Sequence, residues 1–165
     1  MLQAQPGQKG SGQKGRGQTL VEFAITLPII LLVVMGLVDL GRGVFTYNTL
    51  SQSARQASRY AIVDQDTSRV TTTAIANAAT LGLTDSNVDV CFKTYDSTQT
   101  NCSSSADDCP ESTRQIGCLA IVNVHVAYAP MTPFISTIWS SITLASTSIA
   151  PVEYVCPTGT QTTCP

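Results

Sequence analysis

Gly17-Gln-Thr-Leu-Val-Glu-Phe-Ala-Ile-Thr-Leu-Pro-Ile-Ile-Leu-Leu-Val-Val-Met-Gly-Leu-Val38 decides the fold of this chain. From Thr19 onward it reads as a membrane helix, since twenty residues at 1.5 Å each give about 30 Å, the thickness of a hydrocarbon core. Pro28 removes one backbone donor and predicts a local bend. The chemical oddity is Glu22, after which no charge occurs until Asp39. A carboxylate in hydrocarbon costs several kcal/mol unless it is paired, so Glu22 calls for a partner.

The flanks of this stretch differ in charge. Residues 1–20 carry Lys9, Lys14 and Arg16 and no acid, whereas residues 61–165 carry nine acids against Arg69, Lys93 and Arg114. That asymmetry follows the positive-inside pattern, with a cytoplasmic leader and an acidic part outside, and it argues against nucleic-acid binding. The Gly- and Gln-rich residues 1–17 have no apolar face and are expected to be disordered. A cleaved secretory signal is the competing reading, but no Ala-x-Ala site follows the apolar run.

Past the membrane the helix is predicted to continue to about Ile62. Leu40, Val44, Tyr47, Ser51, Ala54, Ser58 and Ala61 recur at spacings of four and three, which draws a packing stripe. Asp39 and Arg42 pair at i,i+3 near the membrane exit, and Gly41 and Gly43 each weaken the helix by about 1 kcal/mol. After a turn through Asp64–Thr67, a short helix spans Ser68–Leu81, capped by Asp66 or Thr67 and ended by Gly82. Strands follow at Val88–Phe92, Cys118–Tyr128 and Leu144–Val155, with a long polar loop over Lys93–Gly117 and one or two helical turns in Phe134–Ile142. The expected architecture is α+β: a long N-terminal helix, with a membrane half and an amphipathic half, packed on a small antiparallel sheet. Its organisation is a basic leader (1–17), a transmembrane helix (18–38), an amphipathic continuation (39–62) and an extracytoplasmic domain (63–165).

All six cysteines lie beyond the apolar run, which places them in an oxidising compartment with up to three disulfides. Fifteen connectivities are open, and the local choice is Cys102–Cys109, Cys156–Cys164 and Cys91–Cys118. No metal site is expected, since there is no Cys-x-x-Cys pair and His125 is the only histidine. His125 reads as a strand-face residue. Asp64/Asp66 and Asp107/Asp108 lack the spacing of a calcium loop and read as solvated turns. No nucleophile elbow, phosphate loop or dinucleotide fingerprint occurs, so no cofactor and no catalysis are expected.

Several short motifs now stand in order: Gly17–Phe23, Leu27-Pro28 with its aliphatic run, Val38-Asp-Leu-Gly-Arg42, and Ala54-Arg-Gln-Ala-Ser-Arg-Tyr-Ala61. Together they resemble the TadE-like family, pseudopilins or minor pilins of the bacterial tight-adherence (Flp-type) pilus system. The resemblance implies a pilin-like fold and cleavage by a prepilin peptidase between Gly17 and Gln18. Glu22 then becomes the fifth residue of the mature chain, facing the new α-amine of a neighbour, with Phe23 and Pro28 in the same assembly surface. Implied partners are the cytoplasmic membrane, other pilins, pilus-assembly proteins and the prepilin peptidase. The implied location is single-pass, N-terminus inside, with entry into an extracellular pilus open. The alternative is a membrane-anchored binding or adhesion module, outside any filament, that grips its ligand with the Lys93–Gly117 loop.

Overall fold

The structure, a computed structural model, describes residues 15–95, 102, 109, 116–132, 136–137 and 140–153. One helix, α1 (Gly15–Ala61), accounts for 47 residues and runs without interruption through Pro28. It begins three residues before Gln18, so residues 15–17, expected to be disordered, are helical. A second helix, α2 (Thr67–Asn77), is capped as expected by Asp66, whose side chain accepts from the Ser68 amide at 2.9 Å. It stops four residues earlier than predicted, and a 3-10 turn at Ala79–Leu81 leads into Gly82, which takes a left-handed φ of 62°.

Three strands, β1 (Val88–Thr94), β2 (Cys118–Tyr128) and β3 (Ile142–Pro151), form an antiparallel sheet in the order β1-β2-β3. The α+β expectation of a long helix on a small antiparallel sheet therefore holds. Ser136 and Thr137 are helical, whereas Ile142, assigned to the preceding turns in the sequence reading, opens β3.

Both helices lie on one face of the sheet. Leu50, Ala54, Ala57 and Ala61 of α1 meet Val70 and Ala74 of α2 and Val88, Phe92, Ala120, Val122 and Val124 of the strands, all buried. Alanines let the α1 backbone approach closely, and two hydroxyls secure it. Ser53 Oγ donates to the Ala74 carbonyl at 2.7 Å, and Ser58 Oγ lies 2.8 Å from Ser148 Oγ on β3. The packing stripe is as predicted from Ala54 to Ala61. Before that, it is displaced by one residue: Asp39, Thr46 and Leu50 are buried, while Leu40, Val44 and Tyr47 are more than half exposed.

The disulfides differ from the local expectation. Cys91 bonds Cys102, and Cys109 bonds Cys118. Strand parity explains why Cys91 and Cys118 cannot join. Cys91 stands opposite Ile121 and Cys118 opposite Thr94, so the two project from opposite faces of the sheet. Cys109 joins the buried core on the helix side, and its amide donates to the Phe92 carbonyl on the open edge of β1 at 2.8 Å. Cys102 and Cys109 are thus tied to opposite faces of the sheet, and the Cys109 amide blunts the edge of β1. Cys156 and Cys164 lie outside the described residues.

A non-reducing peptide map should return Cys91–Cys102 and Cys109–Cys118; a peptide joining Cys91 to Cys118 would contradict the register. Replacing Cys91 and Cys102 together by Ser should lower unfolding stability by about 3 kcal/mol, the chain-entropy value for so short a loop, measured by denaturant titration.

Candidate functional site

The residues singled out by sequence fall on one helix. Gln18, Glu22, Phe23 and Pro28 are exposed along the first half of α1, and Gly17 has open space around it. Thr19, Glu22, Phe23, Thr26, Leu27, Ile30 and Leu31 share a face, with the Thr26 hydroxyl folded back onto the Glu22 carbonyl. Among the described residues no side chain pairs with the Glu22 carboxylate. This half of the helix is long and apolar enough to cross a membrane, and none of its most apolar window is buried within the chain. Its apolar surface is thus turned outward over the whole circumference.

The acid at the other end of the run is treated differently. Asp39 is only 6% exposed. Its Oδ1 accepts from the Met131 amide at 3.0 Å, and its Oδ2 accepts from the Thr132 amide at 2.7 Å and from the Thr132 hydroxyl. Arg42 stands 3.9 Å from Oδ1, too long to be the main partner. The Tyr128 hydroxyl donates to the Asp39 carbonyl at 2.8 Å, and the Arg42 guanidinium lies over the Tyr128 ring, 5.6 Å from its centroid. Asp39 thereby fastens the segment after β2 to the helix, next to the end of the apolar run. The Thr132 hydroxyl first, then the Met131 amide, hold its carboxyl below its ordinary range, against a smaller effect of desolvation.

Sequence reasoning saw Asp39 only as the partner of Arg42. A usable signal was present: the argument that a lone acid beside hydrocarbon needs a partner applies to Asp39 as it does to Glu22. Pro130-Met-Thr132, following the strongest strand, supplies the donors.

Beside this clamp runs an apolar groove of about 510 Å³, bounded by Gly36, Leu40, Gly43, Val44 and Tyr47 of α1, by Tyr128, Ile142 and Leu144 of the sheet and by Pro130 just after β2. Gly43 faces Tyr128, and a Cβ added there would meet Tyr128 Cζ at 3.9 Å, ordinary contact.

Two further polar clusters are structural. Asp64 is buried rather than solvated as expected for a turn. It lies 3.1 Å from Arg69 Nε, accepts from Tyr60 Oη at 2.9 Å, and takes the Asp66 amide on Oδ1. The hydrogen bond from Tyr60 to the Asp64 carboxylate raises the Tyr60 phenol above its usual pKa. On the sheet face away from the helices, Asp89, Asn123 and Thr147 align in register across the three strands, and His125 Nδ1 stands 3.6 Å from Asp89 Oδ2. His125 is a strand-face residue, and no metal-binding cluster is found among the described residues.

Residues 17–59 match the family model described as TadE-like protein, in agreement with the motif reading of the same segment. No curated protein and no solved structure matches the chain. The matched segment starts at Gly17 and ends two residues before α1 does. It contains Glu22 and Asp39, the two acids that bracket the apolar run.

The clamp sets a pH dependence. A carboxyl whose folded pKa is depressed contributes stability that is present above the unfolded value of about 3.9 and is lost as pH falls through the folded pKa. Asp39→Asn should lower the Tm of the full chain at pH 7 by several degrees and flatten the decline of Tm below about pH 4. Equal acid sensitivity in the two proteins would remove Asp39 from that role.

Proposed function

Taking residues 17–59 as a TadE-like segment, we propose that this chain is a minor pilin or pseudopilin of a tight-adherence pilus, with a structural rather than catalytic role. The carrying observation lies within α1: the segment matching the family opens with the apolar run up to Val38, which has no covering from its own chain, and continues into the stretch that packs on the sheet. Such a helix can sit in a bilayer before assembly and pack against other pilin helices afterward. In this reading residues 18–38 cross the cytoplasmic membrane with the N-terminus inside, 39–62 continue outside, and 63–165 form the extracytoplasmic domain. The two disulfides support that side of the membrane, since disulfides persist in oxidising compartments.

Processing after Gly17 completes the mechanism. Peptide-bond cleavage leaves an α-amine on Gln18 with a pKa near 8, charged in most molecules at neutral pH. On one subunit this amine meets the Glu22 carboxylate of the next, where a desolvated pair fixes the register of neighbouring helices more than it adds stability. The partners are the membrane, the prepilin peptidase, other pilins and the assembly proteins of the pilus.

The intact mass of the protein from native membranes tests the cleavage. A chain starting at Gln18 only when the prepilin peptidase is present is the expected result. A chain starting near Met1 in both cases refutes processing and favours an anchored module. For the pairing, Glu22→Ala should leave the chain in the membrane fraction but deplete it from sheared pili and pilin complexes by about tenfold or more, the equivalent of 1.4 kcal/mol per decade. Undiminished recovery would dismiss the pair.

A further inference from the structure

Hydrophobic residues on α1 do not end where the apolar run ends. Leu40, Val44, Phe45 and Tyr47 are 66%, 53%, 57% and 51% exposed, and beside them Met131 and Ile142 are 69% and 41% exposed. All six lie at the end of the domain where the helix enters it, four of them (Leu40, Val44, Tyr47 and Ile142) lining the groove. Farther along α1 the exposed positions turn polar, through Gln52, Arg55, Gln56 and Arg59. Exposed apolar surface therefore continues past Val38 as far as Tyr47.

Charge is arranged to suit the same end. Asp39, the acid there, has its carboxylate turned inward onto Met131 and Thr132, so among the described residues this end shows no exposed acid. Arg42 remains half exposed and lies over Tyr128, a cation matched to lipid phosphates. Length agrees as well. Leu20 to Tyr47 is about 42 Å at 1.5 Å per residue, against about 40–45 Å for a bilayer including its headgroup regions.

We infer that Leu40, Val44, Phe45, Tyr47, Met131 and Ile142 form a collar that seats the folded domain in the outer headgroup region of the bilayer. The groove between helix and sheet takes the upper part of lipid acyl chains, and Arg42 takes their phosphates. Tyrosines suit this depth, where an apolar body and a polar tip are both solvated. The collar rests on the reading of α1 as a membrane span. It implies that the domain lies against the membrane before assembly instead of standing off on a flexible stem, and that lipid must leave the groove when the subunit is extracted.

The full chain, in vesicles of phosphatidylcholine and phosphatidylglycerol, provides its own probes in Met35 within the apolar run and Met131 in the collar. Hydrogen peroxide should oxidise both about tenfold or more slowly than it oxidises a short Met131 peptide, as methionine oxidation follows exposure to water. A phosphatidylcholine carrying a diazirine near its headgroup should label the tryptic peptide 43–55 and the peptide containing Met131. Slow Met35 with Met131 at the peptide rate overturns the collar while the span stands. Fast oxidation of Met35 removes the span and the collar together. Slow Met131 without lipid adducts at 43–55 or Met131 also overturns the collar, and means that a second copy or another part of the chain covers the groove.

Discussion

One helix leaves half of its length uncovered and packs the other half into a domain, and the rest of the structure is arranged around that constraint. The first half of α1 is apolar on every side and has no covering from its own chain. The second half must be narrow on one side so that a three-stranded sheet and a second helix can close on it. Ala54, Ala57 and Ala61 meet the second demand: each is fully buried, and none holds the sheet away. Ser53 and Ser58 tie that face to α2 and β3 without adding bulk. A domain built on so thin a contact has a small core, and the paired disulfides across β1 offset this by tying the chain to the sheet on both faces.

The same constraint explains what was legible in the sequence. Strand β2 was readable to the residue, because its alternation of β-branched side chains over Cys118–Tyr128 reflects burial on a pleated surface. The length of α1 and the Asp66 cap were readable for equally local reasons. The packing stripe was misread by one position before Ala54 because hydrophobicity was taken to mean burial in the protein. Beside an apolar run that its own chain leaves uncovered, that equation fails. Leu40, Val44 and Tyr47 are large and apolar yet remain outside, while Thr46 and the polar Asp39 pack within. The disulfides were misread for a different reason: spacing along the chain carries no record of strand parity, and only the β1–β2 register shows that Cys91 and Cys118 point apart.

Asp39 shows how a short motif combines several tasks. Val38-Asp-Leu-Gly-Arg42 closes the apolar run, and its acid reaches across to a segment about ninety residues later, at Met131 and Thr132. The contact ties the segment after β2 to the helix and leaves no exposed carboxylate from Asp39 beside the apolar run. Tyr128 adds a bond to the Asp39 carbonyl and a ring beneath Arg42. Local sequence signals that Asp39 needs a partner but does not identify it, because the donors are mostly backbone amides that any residue supplies.

The two acids bracketing the run pose one problem and receive different solutions. Asp39 is answered inside the chain. Glu22 lies two residues past Leu20, only about 3 Å deeper at the helical rise, so in a bilayer its side chain reaches the headgroup region by extending toward it. Lipid alone therefore does not require a partner for Glu22. A partner becomes necessary when apolar helices leave the bilayer and surround one another, because a core lined by neighbours has no water-facing boundary to extend toward. On the proposed function, a new α-amine placed four residues before Glu22 would meet that need from the adjacent subunit. On the proposed reading, the pair is thus a device of the assembled state: neutral in effect on insertion, and selective for helices in the correct register.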